Sequence, residues 1–160
     1  ALPPAFRDAM EEGMTSQHDG EAEIRALIEE RAAALRRKDA KGFVAGQSAD
    51  YALYSLYSMG SPLAADQASV EDVDGWFAGW DGPIGYELRD LAIAADGDVA
   101  FCHGFARMSG AKTDGETVDL WFRLTLGLRR AAEGWTIVHE HESVPFYMDG
   151  SGRAAVDLKP

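Results

Sequence analysis

The chain has 160 residues, 46% of them apolar and 26% charged, with a formal net charge of −12 from 27 acidic and 15 basic side chains. That length is one ordinary domain, large enough to remove roughly 68–70% of its unfolded surface from water without a disulfide or metal. The acidic field repels phosphate backbones and anionic lipid surfaces, which argues against nucleic-acid and membrane partners. Cys102 is the single cysteine, so no intrachain disulfide can form and a reducing, cytoplasmic setting is expected. No apolar run reaches the ~18 residues of a spanning helix, and no basic region followed by an apolar one reads as a signal peptide.

Residues 1–20 mix Pro3-Pro4 with a polar run, Thr15 to Gly20, and read as an N-terminal arm with a helical turn or two. The first strong helix follows. Asp19 or Gly20 can cap it, Glu21 and Glu23 suit its positive end, and Ile24, Leu27, Ile28, Arg31 or Ala32, and Leu35 recur at helical spacing. About 18 residues at ~1.5 Å rise give a rod of about 27 Å with one apolar stripe. Asp39 can cap a short helix over Ala40 to Ser48, with Phe43 and Val44 inward, and a strand is expected from Tyr51 to Ser58. Met59 to Asp66 reads as a loop. Ser69-Val70-Glu71-Asp72 resembles a capping box opening a third helix that carries Val73, Trp76, Phe77 and Trp80 and ends between Gly79 and Pro83.

From Ile84 the period changes to two. Strands are predicted at 84–95, 99–109, 117–130 and 135–144, joined by Asp96-Gly97-Asp98, by Gly110 to Gly115 and by Ala131 to Gly134. Short turns between consecutive strands make an antiparallel meander, and helices followed by such a run make an α+β fold. Pro145 ends the last strand, and residues 150–160 form a C-terminal tail, leaving 21–149 as the domain.

Alternation assigns faces. In the last strand Trp135, Ile137, His139, His141 and Ser143 share one, running from apolar to polar as a cavity wall does. In the strand before it Trp121, Arg123 and Thr125 stand opposite Leu120, Phe122, Leu124, Leu126 and Leu128. In the strand before that His103 shares a face with Phe101, Phe105 and Arg107, opposite Cys102, Gly104, Ala106 and Met108. The expected ligand pocket is therefore Arg123, His141, His139, His103, Trp121 and Ser143, closed from the helical side by Tyr54, Tyr57, Trp76 and Trp80. Arg123 would hold an acidic or carbonyl group through its fork, and a histidine would move a proton near neutral pH. The competing reading makes the histidines hydrogen-bonding partners of neighbouring strands and Arg123 half of an ion pair across a dimer. His139 and His141 could share one ion with His103 as third ligand, but nothing in the spacing demands a metal, and no cofactor is expected.

Several runs carry a family resemblance: His103-Gly104-Phe105, Met108-Ser109-Gly110, Asp119 to Thr125, and above all Trp135-Thr136-Ile137-Val138-His139-Glu140-His141-Glu142-Ser143-Val144-Pro145-Phe146. Over about Glu21 to Asp149 the chain resembles the nuclear transport factor 2-like superfamily in its SnoaL-like branch, often labelled ketosteroid isomerase-like. The resemblance implies a cone, a curved antiparallel sheet wrapped around a long N-terminal helix in the cystatin-like manner. It also implies a cavity at the wide end and a homodimer through the sheet face. It leaves activity open between a small-molecule-binding protein or enzyme using acid–base chemistry and a non-catalytic assembly module like the kinase association domains. Isomerase chemistry of the ketosteroid type places a tyrosine on the first helix, and the inward stripe here has none. Asp50 is the nearest candidate for its carboxylate base, and it also suits a cap. Cys102, on the face away from His103, and Ser143, without a nucleophile elbow, offer little for covalent catalysis.

Overall fold

The computed structural model describes residues 4–56 and 69–160, the stretch before Gly20 mostly as backbone. Its elements are α1 (Pro4–Arg37), α2 (Ala40–Val44), β1 (Gln47–Tyr54), α3 (Val70–Ala78), β2 (Trp80–Asp96), β3 (Val99–Lys112), β4 (Thr117–Ala131) and β5 (Gly134–Ser143). They form one five-stranded sheet in the order β1-β5-β4-β3-β2. The β2–β5 run is the expected antiparallel meander, and β1 joins its far edge parallel to β5.

The first helix begins at Pro4, so residues 4–20 of the stretch expected to be an arm are helical. Gly20 is not its cap but a buried crossing point. A Cβ there would stand 3.4 Å from an Arg130 guanidinium nitrogen and 3.6 Å from the Trp135 ring. From there Ile24, Ile28, Ala32 and Leu35 face the sheet, each large aliphatic chain contributing roughly 1.5–3 kcal/mol by leaving water. The helix stops at Lys38, whose φ of 57° is left-handed, with the amides of Lys38 and Asp39 donating to the carbonyls of Leu35 and Ala34. Asp39 then caps α2 by accepting from the Gly42 amide at 2.9 Å. That helix is shorter than expected, ending at Val44, and β1 starts correspondingly earlier, at Gln47.

Ser69 caps α3 in a full capping box: its hydroxyl accepts from the Asp72 amide and its own amide donates to the Asp72 carboxylate. Trp80 is not on that helix. Gly79 ends it, and Trp80 opens β2 as a buried residue, with Gly82 at φ 79° in a register shift that lets the strand continue through Pro83. The loop expected at Met59 to Asp66 and the end of the strand expected to reach Ser58 lie outside the described residues.

Two irregularities bend the sheet. In β2 the pairing shifts between Arg89 and Ala92, with Asp90 at φ 54°. Gly104 accepts this fold: a Cβ there would lie 3.0 Å from the Arg89 carbonyl and 3.1 Å from the Leu91 Cα. In β5 the pairing shifts so that Gly127 opposes His139 while Leu128 opposes Ile137, leaving Val138 as the extra residue of a bulge.

Candidate functional site

The bulge at Val138 decides which side chains of β5 look inward. Before it Trp135 and Ile137 are buried; after it the parity reverses, Glu140 is buried and His141 is exposed. A single alternation through the strand, as read from the sequence, therefore fails at this point. Beneath α1, in place of the histidines, stand Glu140 and Glu142.

Glu140 forms a buried ion pair with Arg31 of α1, 2.7 Å from Nη2. Tyr51 of β1 donates its hydroxyl to the same carboxylate, Arg31 Nε donates to the Phe43 carbonyl at 3.3 Å, and its guanidinium lies 4.1 Å over the Phe43 ring. Burial by itself would lower the Arg31 pKa; the Glu140 carboxylate more than offsets that and raises it. Burial, reinforced by Glu140, pushes the Tyr51 hydroxyl up, so it stays a neutral donor. With both charges hydrogen-bonded as well as paired, this trio is the form in which a buried ion pair is tolerable.

Beside it opens a cavity of about 320 Å³. Leu35, Phe43, Leu53, Val73, Trp76 and Met108 make its apolar wall; Tyr86, Glu140 and Glu142 are polar groups on it, and Asp72, Lys112 and Glu116 join the lining from α3 and from the β3–β4 end. Glu142 accepts one hydrogen bond, from the Leu56 amide at 3.3 Å, and makes no ion pair among the described residues. Burial and then the nearby Glu140 charge push its carboxyl up to about 7. Burial likewise raises the Tyr86 hydroxyl, ahead of the Glu140 and Glu142 charges, and among the described residues that hydroxyl makes no hydrogen bond. Lys112 lies 3.7 Å from the Trp80 ring centroid and 5.5 Å from that of Trp76. Burial lowers its pKa, against the pull of Glu116 and Asp114.

Of the side chains expected in the pocket, Trp76 lines this cavity. Trp80 is buried beside it, and Tyr57 lies outside the described residues. Arg123, Trp121, His103, His139, His141, Ser143 and Tyr54 stand on the outer face of the sheet, which corrects their expected inward direction. On β4 the leucine-rich set is inside, as Leu124, Leu126 and Leu128 are buried and Arg123 is exposed. On β3 Cys102 and Ala106 are fully buried while His103 is exposed. The physical reason is that the more apolar set of each strand faces α1. The outer residues still meet one another: His103, Thr125 and His141 are cross-strand neighbours, as are Phe105, Arg123 and Ser143, and Tyr54 packs at 5.5 Å from His139 and 5.9 Å from His141. Arg123, Trp121 and Ser143 line a second, smaller hollow of about 170 Å³, shared with Ala155, Leu158 and Pro160 of the C-terminal tail. Asp50 is exposed and accepts from Ser48, away from the cavity. Among the described residues no group of three His, Cys, Asp or Glu side chains is placed to hold a metal.

Glu140, Glu142, Tyr86 and Arg31 are the polar residues that the sequence reading did not select. The available signal was Arg31 on an otherwise apolar helical stripe. A buried guanidinium demands a carboxylate, and the acids alternating at the end of the last strand supply it.

A curved five-stranded sheet closed over a long N-terminal helix defines an α+β architecture of the cystatin-like kind. The chain matches the SnoaL-like domain over residues 24–147, and it belongs to that family within the nuclear transport factor 2-like superfamily. It is similar to an NTF2-like protein of unknown function from Pseudomonas putida KT2440, with 31% identity over 89% of this chain and 98% of that one, at a TM-score of 0.75. Two further structures share the fold alone. A putative dehydratase from the NTF2-like family of Streptomyces avermitilis has 15% identity over 79% of this chain and 97% of that one, at 0.64. The association domain of C. elegans CaMKII has 15% identity over 80% and 98%, at 0.61. The comparison with curated proteins gives no match. Among the described residues no helix is long and apolar enough to cross a membrane.

Proposed function

We propose that this protein binds a small molecule in the cavity between α1, α3 and the sheet, and that Glu142 is the group through which it exchanges a proton with that molecule. The observation that carries this is the placement of Glu142 on the wall of an otherwise largely apolar cavity beside the paired Glu140, where burial and that charge push its carboxyl up to about 7. A group poised there is half protonated at working pH and serves as acid or base with little driving force lost. The Arg31–Glu140–Tyr51 trio fixes its neighbour's charge, and the Tyr86 hydroxyl supplies a neutral donor for a ligand oxygen. The putative dehydratase from the NTF2-like family shares this fold, which is compatible with such chemistry without assigning it. The His/Arg pocket expected from the sequence is replaced in this reading by a Glu/Tyr cavity.

The test uses a panel of small aryl ketones, alcohols and amines with thermal unfolding as readout. Saturable shifts are expected in the wild type, lost in Leu53→Trp, which fills the cavity, and kept in Arg123→Ala on the outer face. Shifts lost in Arg123→Ala and kept in Leu53→Trp would move the site to the outer face and end this reading.

A second observation supports a homodimer. The outer face and its edges expose Val99 at 63%, Phe101 at 54% and Tyr54 at 43%, apolar area that a second copy packed on the sheet would cover. Sedimentation of Phe101→Glu as a monomer beside a dimeric wild type supports it; a monomeric wild type removes it. A ring far larger than a dimer would favour the assembly-module alternative, given the fold shared with the CaMKII association domain. A cytoplasmic setting is part of the same proposal, supported by Cys102 being a buried free thiol.

A further inference from the structure

The charges around the cavity do not balance, and the imbalance is local. Arg31 is committed to Glu140 at 2.7 Å. Lys112 lies against the Trp80 ring, with the carboxylates of Glu116 and Asp114 acting on it. Asp72 is engaged in the capping box of Ser69. Among the described residues Glu142 accepts only from the Leu56 amide, at 3.3 Å, and Glu140 beside it disfavours its ionisation. Two aromatic rings, Trp76 and Tyr86, line the same space. The Tyr86 hydroxyl, without a hydrogen bond among the described residues, is an acceptor as well as a donor. A carboxylate with no ion pair of its own among the described residues, a hydroxyl free to accept among them and aromatic walls are together the complement of an ammonium group carrying an apolar body. The chain's net charge of −12 favours the approach of such a ligand and disfavours an anion.

We propose that the molecule this cavity takes is a protonated amine with an apolar or aromatic body, its nitrogen donating to Glu142 and Tyr86 and its body lying against Trp76. This rests on the cavity reading above and names the class of ligand. The groups facing Glu142 are Glu140 on its own strand, Tyr51 from β1, Arg31 from α1, Tyr86 from β2, and Asp72, Lys112 and Glu116 around the rest of the lining. Burial and the Glu140 charge push the Glu142 carboxyl up to about 7.

Three probes of similar size separate the outcomes: phenethylamine, 3-phenylpropanol and hydrocinnamate, titrated calorimetrically into the intact chain at about pH 6 and about pH 8. The amine stays charged throughout, as lysine does up to about pH 10. It is expected to bind tightest of the three and to tighten about tenfold from the lower to the higher pH as Glu142 ionises. Glu142→Gln, whose thermal midpoint reports that it folds, should lose the amine preference and the pH dependence together. The alcohol is expected to show no such dependence. Equal binding of amine and alcohol, or preference for hydrocinnamate, overturns the amine assignment while leaving the cavity reading standing. An amine affinity that does not change with pH, or that survives Glu142→Gln, overturns it too. No saturable binding of any probe overturns both.

Discussion

The outer face of β3, β4 and β5 carries many polar groups and the interior beneath α1 only a few, and the two sets are held in different states. Inside, Arg31, Glu140 and Tyr51 are buried and mutually bonded, and Glu142 is pushed up to about 7. Outside, Arg123 and His141 are exposed and Arg107 pairs with Asp119 at 2.7 Å where water still reaches both. The lesson is that residue type alone does not make a site. The same carboxylate or guanidinium is worth little where water screens it and a great deal where water is excluded.

The largest break in this comparison comes from the inner trio. Glu140→Ala strands a buried guanidinium and should cost about 3–5 kcal/mol of stability, read as a lowered denaturant midpoint. Replacing both partners at once, Arg31→Met with Glu140→Leu, should recover much of that. Recovery failing altogether would mean that the site needs the charges for its shape.

The second effect is a pH dependence. The Glu142 carboxyl is raised from 4.5 to about 7 in the folded protein, so the native state keeps a proton that the unfolded chain has already released. Stability therefore falls as pH rises through that window and levels off above it, by at most about 3 kcal/mol. Glu142→Gln should flatten this part of the profile. A wild-type profile that rises across the same window would contradict the raised value.

Next in size is the packing of β2 onto β3. Gly104→Ala places a methyl 3.0 Å from the Arg89 carbonyl, against backbone that cannot swing aside. A loss of about 1–3 kcal/mol is expected from overpacking, and an unchanged thermal midpoint would show that the β2 bulge yields. The smallest effect belongs to the outer face: Arg123→Ala should shift stability by no more than about 0.5 kcal/mol and leave cavity binding intact.

Much of the fold was legible along the chain. The Ser69 cap, the turn at Gly97 and the four long strands all follow from local rules, because a cap, a turn and a period of two are settled by residues within a few positions of each other. The division of β4 into a leucine set and a Trp121–Arg123–Thr125 set was legible too. The helical course of 4–19 was not, since its Gly13, Thr15 and Ser16 have weak helix propensity. The extra residue at Val138 was not either, because a bulge exists only between a strand and its partner.

The sequence by itself determined the elements, the two faces of each strand and the acidic balance that sets which ligands can approach. Tertiary structure decided which face became the interior, and where along β5 the assignment reversed. The physical reason is that alternation is a property of one strand, whereas inside and outside are defined only by what packs against it. Here the hydrocarbon faces of β3 and β4 joined one core with α1, and a single inserted residue in β5 delivered Glu140 to Arg31 and left Glu142 facing the cavity.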